Sequence, residues 1–283
     1  MASLFIWLQH ALPQLGLTRF AGRIAASEKP WLRDRLIRRF VASYDVDMSE
    51  AARGIGEFSS FNDFFTRELK PGARPLADAN SHVLCPADGA VSQLGRIDDG
   101  QIMQAKGHLY TVAELLGGDE ALAERFHHGD FITIYLSPKD YHRVHMPVAG
   151  RLQSTRYVPG DLFSVNTATA NAVPGLFARN ERLVCNFDTD LGRMASVMVG
   201  AMIVAGIETV WGGRVVPPAR GRGARVVDHQ PEGPVELEAG AEMGRFLLGS
   251  TVVLLFEQGK VAFDEALRPG SPTRMGQALA RKL

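Results

Sequence analysis

The sequence predicts an α+β protein with a mainly antiparallel β core, a barrel or sandwich, preceded by amphipathic N-terminal helices. Three observations carry that expectation. From residue 3 to residue 43, apolar residues recur at helical spacing. From about residue 82 the texture changes to short β-branched runs divided by Gly and Pro, as in strands joined by turns. Within that region, residues 246–256 form a continuous Val- and Leu-rich run followed by Gln258-Gly259, which reads as a buried strand.

Taken in order, residues 3–20 place Leu4, Phe5, Trp7, Leu8, Ala11, Leu12 and Leu15 on one stripe, with a kink expected at Pro13. A second helix runs from about Pro30, a residue suited to the first helical position, to Ser43. It interleaves Trp31, Leu32, Leu36, Ile37, Phe40 and Val41 with Arg33, Arg35, Arg38 and Arg39. Basic amphipathic helices of this kind suit an anionic membrane surface. They suit equally a helical lid packed on the core with its arginines solvated. A short helix follows at 61–69, with Asn62 or Ser60 as its N-cap. Strands are expected at 131–136, 151–158, 183–187, 195–205, 215–216, 251–256 and 260–263. Two units result: basic amphipathic helices over 1–45 and a β-rich body over 46–283.

Composition narrows the function. Lys+Arg and Asp+Glu balance at 31 each, which gives no global case for a nucleic-acid partner. The balance hides a basic N-terminus, since residues 1–43 hold seven basic side chains (Arg19, Arg23, Lys29, Arg33, Arg35, Arg38, Arg39) against Glu28 and Asp34. Cys85 and Cys185 form neither a zinc motif nor a CxxC pair, and two reduced, partly buried thiols are expected. The longest apolar run, 194–207, is too short to span a bilayer, and no secretory signal is expected.

Three places could do chemistry. Asp88 sits in the turn Cys85-Pro86-Ala87-Asp88-Gly89, where an ordinary turn aspartate is the plain alternative. His142 and His145 lie three apart in a loop closed by Pro147; histidine is the usual base near neutral pH, and two surface histidines would look the same. No further ligands at metal spacing accompany them, so no metal is expected. Ser250 follows Gly249 at the head of the apolar run, without the Gly-x-Ser-x-Gly elbow of ordinary hydrolases. An acid, a histidine and a serine are the parts of a nucleophile–base–orienter relay. A hydroxyl buried beside a glycine carbonyl is badly placed for an external ester and well placed to attack its own chain.

Blocks running nearly the whole length carry a family resemblance. They include Phe61-Asn62-Asp63-Phe64-Phe65-Thr66-Arg67, Pro86-Ala87-Asp88-Gly89, Tyr141-His142-Arg143-Val144-His145-Met146-Pro147, Leu162-Phe163-Ser164-Val165-Asn166 and Leu248-Gly249-Ser250-Thr251. Together they resemble the phosphatidylserine decarboxylases of the bacterial membrane-associated type, whose self-cleaving motif is Leu-Gly-Ser-Thr. The segment Arg220–Arg225 matches nothing in that pattern.

The resemblance implies an inactive precursor that cuts the Gly249–Ser250 bond. Asp88 would orient His145, and His145 would take the Ser250 proton. Ser250 would become a covalent pyruvoyl group, leaving a large subunit of 1–249 and a small one of 250–283. The pyruvoyl would bind the substrate amine as a Schiff base and release carbon dioxide, giving phosphatidylethanolamine. His142 is the expected proton donor or phosphate contact, and Ser164 a substrate contact. The expected setting is peripheral, on the cytoplasmic face of the cell membrane, as a homodimer of such subunit pairs. Deleting residues 1–40 is then expected to weaken liposome binding and spare self-cleavage. The alternatives are a pyruvoyl-dependent decarboxylase of a soluble amino acid, a binding module that keeps the fold uncut, and a serine hydrolase.

Overall fold

The computed structural model describes residues 9, 14–105, 107–202, 206–215, 225–247 and 249–283. Most of the first expected stripe, with Trp7 and the Pro13 kink, lies outside them, as do Leu248 and residues 220–224 of the unmatched segment. Helix α1 spans Gln14–Ala25 and α2 spans Pro30–Tyr44, with Pro30 in its first turn as expected. Asp45 ends α2 in the left-handed region (φ 52°), donating its N–H to the Val41 carbonyl. Helix α3 covers Phe61–Phe65 and is capped by Ser60, whose hydroxyl accepts from the Asp63 amide at 3.2 Å. The expectation of a helix to 69 is corrected. The Thr66 carbonyl accepts from Arg143 Nε at 2.9 Å, so the chain is drawn away to another partner at that point.

These helices enclose an aromatic core of their own, containing Ile37, Phe58, Phe61, Phe64 and Phe65. Phe40 packs into it, with ring centroids 5.2–6.0 Å from Phe61, Phe64 and Phe65. That ring therefore faces inward rather than forming part of an outward apolar surface. Phe20 and Trp31 do face outward, at 65% and 67% exposure.

The β region begins with β1 (His82–Leu84) and β2 (Gly89–Arg96), then the hairpin of β3 (Gln101–Ala105) and β4 (His108–Thr111). It continues through β5 (Asp130–Leu136), β6 (Arg143–His145), β7 (Gly150–Val158), β8 (Arg182–Thr189) and β9 (Gly192–Val199). Next come β10 (Ile207–Thr209), β11 (Gly213–Val215), β12 (Val227–His229), β13 (Glu236–Leu237) and β14 (Glu242–Phe246). The chain closes with β15 (Ser250–Phe256), β16 (Val261–Phe263), β17 (Pro272–Thr273) and β18 (Ala278–Lys282).

A nine-stranded sheet in the order β12-β7-β8-β9-β15-β5-β2-β17, with β13 also on β7, forms the centre. It is open, so the barrel alternative gives way to a sheet-rich α+β body. Beside it lies the four-stranded sheet β11-β10-β14-β6. Every residue of β15 is buried. Its side chains divide with period two: Val252, Leu254 and Phe256 enter a core with Val144, Met146 and Phe246, whereas Val253 and Leu255 enter one with Val112, Leu115 and Phe177. A strand with apolar layers on both sides needs no polar alternation, which explains the uninterrupted run. Antiparallel pairing holds it on both edges, to β5 (Ser250↔Leu136 to Phe256↔Asp130) and to β9 (Thr251↔Val199 to Phe256↔Met194).

The strand expected over 195–205 ends at Val199. Beyond it the Gly200 amide donates to the Glu181 carbonyl, and the Gly200 carbonyl accepts from Asn180 Nδ2, so both groups leave the ladder. Cys85 and Cys185 are free and buried, in the same core. No helix among the described residues is long and apolar enough to cross a membrane.

Candidate active site

Antiparallel pairing gathers the chemistry at one end of the central sheet. Ser250 opens β15, Leu136 closes the neighbouring β5, and Asp88 immediately precedes β2 on the far side of β5. Gly89 permits this approach, because a Cβ there would lie 2.2 Å from the Tyr135 carbonyl oxygen. The segment leaving β5 turns at Ser137, whose amide donates to Asp140 Oδ2 at 2.7 Å, and delivers His142 and then β6. His145 is thus on a short strand, not in a loop. Its amide donates to the Pro86 carbonyl at 2.8 Å, tying β6 to the Asp88 turn.

The Ser250 hydroxyl is fully buried and has no hydrogen-bond partner. Gly249 before it has φ 45°, in the left-handed region, with nothing within 4 Å of where a Cβ would stand. Glycine is therefore required there by backbone conformation rather than by space.

Both ring nitrogens of His145 are engaged. Nδ1 lies 2.8 Å from the Gly240 carbonyl oxygen and Nε2 lies 3.1 Å from the Tyr141 hydroxyl. A carbonyl can only accept, so Nδ1 carries the hydrogen and Nε2 is the basic nitrogen, receiving the tyrosine O–H. Burial pushes the Tyr141 hydroxyl up to about 12, which keeps it a donor. Burial also lowers the His145 pKa, against the pull of the Gly240 carbonyl and the charges of Glu242 and Asp88. His142 is pushed down to about 3 by burial, and its Nδ1 bonds the Asp140 carbonyl at 2.8 Å. Its Nε2 is buried without a partner, and its ring packs on Phe65 at 4.0 Å.

Asp88 is 7% exposed and belongs to an ion-pair network. Arg74 Nε donates to Asp88 Oδ1 at 2.9 Å and Arg74 Nη2 also reaches Glu50; the Met275 amide donates to Asp88 Oδ1 at 2.8 Å. Asp88 makes no hydrogen bond to His145 here. Its influence on the imidazole is that of a nearby negative charge, and the Gly240 carbonyl is what fixes the ring. Arg74, Tyr141 and Gly240 are therefore site residues that sequence reasoning missed.

Ser164 is half-buried, its amide donating to Gln9 Oε1 at 2.8 Å. Its loop is drawn to the Ser250 end of the sheet by the fully buried Asn180, whose Nδ2 donates to both the Phe163 and Gly200 carbonyls. Gly200 follows Val199, the residue paired with Thr251. At the opposite end of β2 and β5, Asp99, His127 and His128 bring ligand atoms within 4.8 Å of one another on the surface. Their sequence separation hides this grouping, which lies apart from Ser250.

A family model described as phosphatidylserine decarboxylase matches residues 61–281. The chain belongs to the phosphatidylserine decarboxylase family. A second model, described as PSD, matches residues 4–45. The phosphatidylserine decarboxylase proenzyme of Pseudomonas aeruginosa PAO1 is 58% identical over 278 residues, covering 98% of this chain and 96% of its own. The proenzyme of Acidovorax ebreus is 58% identical over 275 residues (97% and 96%), and that of Polaromonas sp. JS666 is 56% identical over 275 (96% and 96%). Within such a family, the buried unpartnered hydroxyl and the left-handed glycine fall on the Leu248-Gly249-Ser250-Thr251 motif.

A decrease in the His145 pKa has a defined consequence for any step that needs its neutral form. The base is lost only as pH falls through a value below the ordinary 6.5. The rate of any reaction that uses this base, followed from about pH 5 to pH 8, should fall on the acid side with a midpoint below 6.5. A midpoint above 6.5 would contradict this electrostatic reading.

Proposed function

We propose that this protein converts phosphatidylserine to phosphatidylethanolamine and carbon dioxide, after cutting itself at Gly249–Ser250 and turning Ser250 into a pyruvoyl group. The observation that carries the reading is the Ser250 hydroxyl, buried and unpartnered, directly after a glycine in the left-handed region. A hydroxyl with no hydrogen bond leaves no partner stranded when its oxygen departs with the Gly249 carboxylate and Ser250 Cα becomes the carbonyl carbon, so the residues present fit the group. The carbonyl supplies the electron sink that ordinary side chains lack.

The chain's own residues take the remaining work. His145 Nε2 accepts the Ser250 proton once the Tyr141 hydroxyl that occupies it gives way, with its tautomer fixed by Gly240. Asp88 adds negative charge that favours the imidazolium formed by that transfer. The Ser250 oxygen attacks the Gly249 carbonyl carbon, and the peptide nitrogen leaves with the proton that His145 returns, giving an ester. Loss of the Ser250 α-proton then expels the Gly249 carboxylate and cuts the chain, and water replaces the nitrogen, which departs as ammonia. His142, neutral and with its unprotonated Nε2 buried without a partner, is the residue that would accept a proton and pass it on during turnover. Ser164 remains a substrate contact in this reading.

The lipid is reached at the membrane surface, on the cytoplasmic side, through the outward rings of Phe20 and Trp31 and the exposed Arg35, Arg38 and Arg39. Deletion of 1–40 would also remove Gln9 and Phe40, which contact the body, so point variants are the cleaner test. Phe20→Ser and Trp31→Ser should each weaken binding to anionic liposomes about tenfold, since an exposed large side chain leaving water gains roughly 1.5–3 kcal/mol. Unchanged co-sedimentation would remove this surface from the reading. Two cleaved pairs would assemble as the functional dimer.

Intact mass and product analysis test the whole. Wild-type protein should give two fragments and release carbon dioxide from phosphatidylserine but not from soluble amino acids. Ser250→Ala should give one uncut chain and no product. Turnover by an uncut chain bearing serine at 250 would refute the proposal, and turnover on free amino acids alone would favour the soluble-substrate reading.

A further inference from the structure

Arg67 is 4% exposed, yet it has no carboxylate partner among the described residues. Nη2 donates to the Lys139 carbonyl at 3.0 Å, and the guanidinium carbon stands 5.5 Å over the Phe64 ring. Nε and Nη1 are buried with no hydrogen-bond partner, which leaves three of the five N–H groups of the guanidinium unsatisfied. The other arginines of the region behave differently. Arg74 is paired with Glu50 and Asp88, and Arg143 with Glu68 and Glu242. Asp88 and Asp140 act on Arg67 through charge alone, without a hydrogen bond. Buried N–H groups of a cation left unsatisfied are costly and call for a partner.

The position of Arg67 says where that partner arrives. Phe65, two residues before Arg67, packs on His142, and Lys139, the acceptor of Nη2, lies three residues before His142. The cation thus lies on the segment whose Phe65 ring covers His142, the residue with the orphaned Nε2. We propose that Arg67 is the anion receptor of the site and takes the phosphodiester of the phospholipid headgroup. The assignment rests on the decarboxylase reading above.

The headgroup offers two anions, and physical chemistry separates them. The carboxylate loses its charge as carbon dioxide departs, so a fixed cation against it would stabilise the substrate more than the transition state. The diester keeps its charge throughout, and holding it places the amine and carboxylate without opposing the reaction. Guanidinium also suits phosphate oxygens better than a point-charge ammonium.

Cleaved wild type, Arg67→Met and Arg67→Lys can be compared on short-chain phosphatidylserine in detergent. Arg67→Met should raise KM at least tenfold with a smaller change in kcat, and Arg67→Lys should recover part of the loss. Glycerophosphoethanolamine, which has the diester and no carboxylate, should inhibit wild type and lose potency in Arg67→Met by a similar factor. Inorganic phosphate should inhibit more weakly than glycerophosphoethanolamine. Without ligand, Arg67→Met should melt no lower than wild type, because the unpaired charge is gone. Any of four results overturns the proposal: an unchanged KM, equal inhibition of all forms by glycerophosphoethanolamine, inorganic phosphate inhibiting as well as the diester, or a lower melting temperature with kcat alone reduced. Failure of Arg67→Met alone to cleave would assign the residue to maturation instead and overturn it as well. Failure of wild type to make the ethanolamine lipid sinks the parent reading, not this one alone.

Discussion

His145→Ala is expected to leave the polypeptide uncut, slowing appearance of the 250–283 fragment by roughly 10²–10⁴-fold, the usual contribution of a positioned general base. The expectation rests on three features of the ring: its single basic nitrogen, its burial, and its backbone anchor at Gly240. Tyr141→Phe removes only the donor to Nε2, 3.1 Å away, and should slow cleavage far less. The ordering of the two variants is the diagnostic. A time course by gel or intact mass reads it directly, and wild-type cleavage by His145→Ala would exclude His145 as the base.

Arg74→Met carries the largest expected cost in stability. It leaves Asp88, 7% exposed, and Glu50 without their shared cation. Removing one partner of a buried pair typically costs about 3–5 kcal/mol, because the other charge remains stranded. Both groups of the Arg74–Asp88 pair have side-chain exposures below a tenth, so solvent screening relieves little of this. The measurement belongs on a Ser250→Ala background, where a single chain permits a two-state urea analysis. Arg74→Lys should fall between the two, since an ammonium cannot reproduce the contacts of Nε and Nη2 with one carboxylate. A midpoint shift worth less than about 1 kcal/mol would show the pair to be a solvated surface contact. Cleavage should also slow in Arg74→Met, because Asp88, which also holds the Met275 amide, loses the cation that fixes its carboxylate.

Local residue pattern carried some of this architecture and not the rest. β15 was legible because both of its faces are buried, which writes an uninterrupted apolar run into the sequence. α2 was legible from Pro30 and its stripe, although the inward turn of Phe40 required the rings of α3 to be in place. β6 was not legible: three residues holding an arginine and a histidine carry no strand period, and their pairing with β14 depends on a partner about a hundred residues later. In the candidate site, Ser250, Gly249 and His145 stood out by side-chain chemistry and the family resemblance. Gly240 was missed because a backbone carbonyl leaves no residue signature. Arg74 was missed because it stands in a Pro- and Gly-rich stretch where an arginine is expected to face water. Arg67 was part of a quoted motif, but its burial without a counterion is a property of packing alone.

The double-edged pairing of β15 has a thermodynamic consequence if the chain is cut as proposed. Residues 250–283 supply the middle of the sheet and also β16, β17 and β18, so the two proposed fragments would be interleaved rather than docked side by side. In the uncut chain the closure of that lattice is intramolecular; scission would make it a bimolecular reassociation opposed by translational entropy. Denatured mature protein should therefore refold with a yield that rises with concentration, whereas the Ser250→Ala precursor refolds independently of it. The native assembly would then persist through slow unravelling, showing hysteresis between its melting and its recovery.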